Sequence, residues 1–141
     1  MKKIGIVCCF FIAGCVTTPQ KIELKSSEAP KITQASPDVP KSCAPFVGLW
    51  SGNWPGFGQT WLWVTEVNAQ CVATYAHRTK PQITDSRVFK KAEIKNSILS
   101  FPDYRGDTDT FKLNGDELYA SHQQAGSNNS AVFRRVDIER K

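Results

Sequence analysis

Long apolar runs, histidine and helical periodicity are what this 141-residue chain has least of. A membrane-spanning helix needs roughly 20 consecutive apolar residues, and the uncharged stretch that opens the chain, Ile4 to Phe11, is too short. His77 and His122 are the only imidazoles. Neither has a Ser, Cys or Asp partner at a recognisable spacing, so no nucleophilic constellation and no Cys/His metal centre is legible, and each is expected as a surface-strand histidine. No carboxylate sits in an apolar setting that would raise its pKa for acid–base work. Catalytic residues, cofactors and metal ligands are therefore expected to be absent. Basic stripes with interleaved aromatics are lacking too, which makes nucleic acid a poor partner. The formal charge of +5 arises largely near the start, because twelve basic and ten acidic residues lie from Cys43 onward.

What is present begins at the amino terminus. Met1-Lys2-Lys3 is a short positive segment, the apolar run follows, and Ile12-Ala13-Gly14-Cys15 closes it. A basic region, an apolar region of about 7–15 residues and small residues at a cleavage point make a secretory signal. With a cysteine directly after the small pair, the pattern resembles the lipobox of bacterial lipoproteins. That resemblance implies a signal peptide over 1–14, acylation of Cys15 and anchoring in the cell envelope by two or three acyl chains. Val16, in place of an inner-membrane-retaining aspartate, resembles the outer-membrane class, facing periplasm or cell surface.

Residues 15–42 read as the lipidated cysteine and a flexible tether. Pro19, Pro30, Pro37 and Pro40 interrupt this stretch, Lys and Ser fill it, and too little apolar surface is available to offset chain entropy. Cys8 and Cys9 leave with the signal and Cys15 takes lipid, so Cys43 and Cys71 remain, and in an oxidising compartment two cysteines most simply form a disulfide.

From Cys43 to Lys141 short runs of β-branched and aromatic residues alternate with turn signals, among them Asn96-Ser97 and Asn114-Gly115. Eight strands are expected, over 46–54, 60–68, 71–78, 87–95, 97–101, 108–113, 117–123 and 131–138. A meander of short strands escapes exposed edges by curling shut. The fold class is therefore all-β, an eight-stranded antiparallel up-and-down barrel, with an open half-barrel or sandwich as the alternative. Asp103, Asp107 and Asp109 cluster near a loop, but Arg105 lies among them and the spacing is not that of an EF-hand, so a solvated turn is expected.

The first of these strands, Phe46 to Trp54, alternates glycine with large aromatics on one face. Gly48-Leu49-Trp50 resembles the Gly-X-Trp that opens the first strand of lipocalins and other calycins. In that family a late arginine packs over the tryptophan, which implies that Arg134 or Arg135 closes the barrel against Trp50. The domain is shorter than a true lipocalin and has no following helix. Its closer likeness is to small lipocalin-like domains of exported bacterial proteins.

All four tryptophans fall between positions 50 and 63. Two outcomes are open: a core filled by its own aromatics, or a mouth that holds a small ligand. Trp54, Phe57, Trp61 and Trp63 are the candidate contacts for a ligand or partner, since exposed aromatics stack on sugars and anchor protein interfaces. The expected function is a non-catalytic binding or structural module of the envelope, its partner a protein, saccharide or small apolar molecule. A carrier of a small apolar ligand and an inhibitor of an enzyme such as lysozyme are the alternatives.

Overall fold

The structure, a computed structural model, describes residues 18–124 and 126–141; the expected signal segment and lipobox, with Cys15, lie outside the described residues. In chain order the strands are β1 (Gln20–Leu24), β2 (Gly48–Trp54), β3 (Gly58–Val67), β4 (Val72–Arg78), β5 (Lys90–Lys95), β6 (Ile98–Pro102), β7 (Thr108–Asn114), β8 (Glu117–Gln124) and β9 (Ser127–Arg140). Each of β2 to β8 pairs antiparallel with the next, and β9 pairs with both β8 and β2. Eight strands thus close on themselves as an antiparallel barrel, which removes the unpaired edges of an open sheet. At the β5–β6 hairpin Asn96 and Ser97 both take positive φ, 52° and 59°, as a two-residue turn matched to strand twist requires.

Alternation along the strands sorts the aromatics. Trp50 and Trp54 of β2 point inward with Leu62, Val64, Tyr75, Phe111 and Phe133. Gly52 faces Phe133 directly: a Cβ there would lie 2.3 Å from the ring. The register is offset by a bulge between Val64 and Glu66. An extra residue reverses the alternation beyond it, so Val67 joins Leu62 and Val64 inside instead of sharing the face of Trp61 and Trp63.

One end of the barrel is shut. A 3-10 turn, Ala44–Phe46, seats the fully buried Phe46 there, and the Trp50 indole donates to the Phe46 carbonyl at 2.8 Å. The Cys43–Cys71 disulfide ties this turn to the start of β4. Of the two candidate arginines, Arg135 lies over the Trp50 ring, 4.2 Å from its centroid. It also donates to the carbonyls of Val47 and Pro45. Gly48, at φ +143°, leaves room for this, since a Cβ would meet the guanidinium at 2.7 Å. Arg134 sits one residue off, hence on the outer face, paired with Glu117.

The expectation of a free tether fails over the described part of 15–42. Strand β1 adds in parallel to β9, from Gln20↔Val136 to Leu24↔Arg140. Arg140 donates to the carbonyls of Ala29 and Pro30 at 2.8 Å each. Leu24 and Ala29, with Ile22 and Ile32 beside them, pack on Leu49, Trp61 and Trp63 outside the barrel. The physical reason lies in those tryptophans: an outward face carrying two indoles is costly to leave wet, and the few apolar residues of the segment suffice to cover it. Among the described residues no helix is long and apolar enough to cross a membrane.

Candidate functional site

The other end of the barrel is open. There a cavity of about 560 Å³ is lined by Trp54, Phe57, Tyr75 and Phe101, with Thr60, His77, Asp109 and His122 among its polar groups. The aromatics below it are packed tightly. Tyr75 stacks on Phe101 at 4.0 Å, and Phe111 meets Phe133 edge-on at 5.1 Å. The barrel is therefore filled by its own aromatics through its middle and hollow at its mouth.

The polar groups form one connected chain. His122 of β8 stands opposite Asp109 of β7 in the strand register, and its Nδ1 lies 2.7 Å from Asp109 Oδ1. His77 reaches in from β4, placing Nδ1 3.2 Å from Asp109 Oδ2 and Nε2 3.0 Å from Thr60 Oγ1. The Trp54 indole N–H donates to that same hydroxyl at 3.0 Å. Counting protons fixes the directions. An ionised Asp109 only accepts, so both histidines donate to it through Nδ1–H. The Thr60 hydroxyl, already accepting from Trp54, donates in turn to His77 Nε2. Every group of the chain is bonded except His122 Nε2, which has no hydrogen-bond partner among the described residues.

Asp109 is 4% exposed. Burial works against its ionisation, but the hydrogen bonds from His77 and His122 prevail and hold its carboxyl below the ordinary carboxylate range. Burial raises the Tyr75 phenol to about 12, and the charge of Asp109 adds to the effect. The order Thr60–His77–Asp109 repeats hydroxyl, base and orienting acid. Yet the hydroxyl accepts an indole N–H and is held within the wall, which suits an anchor better than a nucleophile.

Several expectations change here. Trp61 and Trp63 are not at the mouth: before the bulge, odd positions of β3 face outward, and both lie beneath the amino-terminal segment, Trp63 donating to the Pro81 carbonyl at 2.9 Å. Trp54 does line the mouth, though almost wholly buried, while Phe57 is 55% exposed at its rim. His77 and His122 are inward residues, their side chains only 17% and 12% exposed. Asp109 leaves the solvated turn to join them. Strand parity carried the signal: His77 follows Tyr75 by two, Asp109 precedes Phe111 by two and His122 follows Ala120 by two, each neighbour being buried. Tyr104, 85% exposed, is a second rim aromatic that sequence reading passed over.

Comparison of the chain with family models, with curated proteins and with solved structures finds no match.

Proposed function

We propose that this protein is a lipid-anchored, non-catalytic binding module of the cell envelope that seats one small amphipathic molecule in the mouth of its barrel. The observation that carries this reading is the cavity of about 560 Å³ at the open end. Small-ligand sites are concave, mostly apolar and supplied with a few convergent polar groups, at volumes of about 300–1,000 Å³. Here Trp54, Phe57, Tyr75 and Phe101 offer faces for an apolar or ring-shaped body, and the His77–Asp109–His122 group offers fixed polarity at its end. The contact between Trp50 and Arg135 and the glycine at 48 support reading the domain as lipocalin-like, a class whose barrels hold one small ligand in this place. Acylation at Cys15 would tether it to the outer membrane, with the mouth free for a diffusing molecule.

The test is tryptophan fluorescence of the folded protein titrated with fatty acids, sterols and short saccharides. A saturable change with one compound class, lost in Trp54→Phe and kept in Trp61→Phe, is the expected result. No response to any compound at 1 mM on the order of the weakest useful affinity overturns the carrier reading. Mass spectrometry of the mature protein checks the anchor: an acylated Cys15 at the amino terminus is expected, and an unmodified one removes it.

A further inference from the structure

Outside the polar chain of the mouth, Asp103 and Asp107 converge with His122, and their ligand atoms all lie within 4.8 Å of one another. The two acids come from the turn between β6 and β7. That turn is fixed by its own backbone: Asp103 N–H donates to the Asp107 carbonyl at 2.7 Å, and Asp103 Oδ1 accepts from the N–H groups of Arg105 and Asp107 at 2.7 and 3.0 Å. His122 comes from a different strand and is held independently, edge-on to the rings of Trp54 and Phe57 and bonded through Nδ1 to the buried Asp109. A rigid turn and a clamped imidazole therefore meet without sharing a support.

The protonation of His122 gives the cluster its meaning. Asp109 is an acceptor, so the Nδ1 of His122 carries hydrogen and Nε2 of the neutral ring carries a lone pair. Nε2 has no hydrogen-bond partner among the described residues, and Asp107 Oδ2 lies 3.9 Å away. A lone pair beside two carboxylates is an arrangement that a cation completes. A buried carboxylate that fixes the ring tautomer from the far side is the support that metal-ligating histidines use. Two ligand atoms on one ion stand about 3–4 Å apart for bonds of about 2.0–2.2 Å, so side-chain rotation of the acids by roughly an ångström, without movement of the turn, completes the set. One imidazole nitrogen with two carboxylate oxygens favours a first-row divalent ion over calcium or magnesium, which prefer oxygen alone. Three protein ligands would leave a position open toward the cavity, as in sites that bind exchangeable ligands.

We propose that Asp103, Asp107 and His122 bind a divalent transition-metal ion of the zinc class, with Asp109 as the positioning residue behind His122. This site does not depend on the small-molecule reading: the ion can bind a mouth that takes nothing else.

The probe is Zn²⁺ alone, added to the chain without an affinity tag and with Cys8, Cys9 and Cys15 changed to serine because free thiols bind zinc themselves, in competition with a chromophoric chelator. One Zn²⁺ per chain is expected. Asp107→Asn and His122→Gln should each weaken it at least about tenfold, and Asp109→Asn by about 10–100-fold although it touches no metal. Asp116→Asn, in the β7–β8 hairpin near Arg135 at the closed end of the barrel, should leave it unchanged. Ring nitrogen signals of His122 should move on titration while those of His77 stay, which separates ligation from a loss of fold in the variants. No uptake at 100 μM Zn²⁺ (on the order of the weakest exchangeable site), uptake equal in Asp107→Asn, or an unmoved His122 signal each overturns the proposal.

Discussion

Removing the carboxylate of Asp109 should cost far more than its size suggests. Two histidine N–H groups, at 3.2 and 2.7 Å, donate to a side chain that is 4% exposed. In Asp109→Ala both donors lose their acceptor inside the barrel. Two hydrogen bonds to a charged acceptor, at about 1.5–3 kcal/mol each, make a loss of about 3–6 kcal/mol. With a urea slope of about 2 kcal/mol per M, the unfolding midpoint should fall by about 2 M. Asp109→Asn is milder. Its amide oxygen still accepts from one imidazole, and its NH2 donates to the other once that ring shifts its proton. Two charge-assisted bonds become neutral ones, a difference of about 1 kcal/mol each, or about 2 kcal/mol in all.

The pH dependence has a definite sign. The folded carboxyl is held below its ordinary value, which is about 3.9 in an unfolded chain. Its contribution is therefore complete above about pH 5 and is lost as pH falls through the lower folded value. Urea melts of wild type and Asp109→Asn should show a gap that narrows as pH falls from about 4 toward 2.5. An alanine variant within 1 kcal/mol of wild type, on the order of a surface change, or a gap that widens in acid, refutes the network as described.

Three further outcomes follow from the closed end and the wall. Arg135→Ala, which exposes the Trp50 face and orphans two carbonyls, should cost about 2–3 kcal/mol, whereas Arg134→Ala, losing only the outer pair with Glu117, should cost less than about 1 kcal/mol; paired chemical denaturation reads both. Gly52→Ala drives a methyl into Phe133 and should destabilise by about 1–3 kcal/mol, with Phe133→Leu in the same chain restoring part of it in a double-mutant cycle. Replacing both Cys43 and Cys71, whose loop spans 28 positions, by serine should remove about 3.6 kcal/mol on the chain-entropy account, visible in thermal melts under non-reducing conditions.

Strand positions rest on patterns local enough to read along the chain, whereas the Trp50–arginine contact is implied by the lipocalin resemblance, with Arg134 and Arg135 both open, and the disulfide by the count of cysteines left after the signal. The turn residues and the period-two alternation do that work at Gly48 to Trp54 and again at Asn96-Ser97. The mouth was harder. His77, Asp109 and His122 are separated by 32 and 13 residues, and only the registers of β4, β7 and β8 bring them together. A bulge after Val64 shifted part of β3 by one face, which no spacing rule announces. The amino-terminal segment was misjudged because its prolines and lysines argue for solvent. Its Leu24 and Ala29 are ordered by Trp61 and Trp63, a demand located some 40 residues downstream in the chain.

The open mouth as a ligand seat is most directly tested by following the four indole N–H signals of the folded protein by NMR while the same panel of fatty acids, sterols and saccharides is added. Trp54 alone lines the cavity, so its signal should move saturably with the binding compound while Trp50, Trp61 and Trp63 hold still. Movement confined to Trp61 or Trp63, or none at all, would place any binding elsewhere and contradict the account.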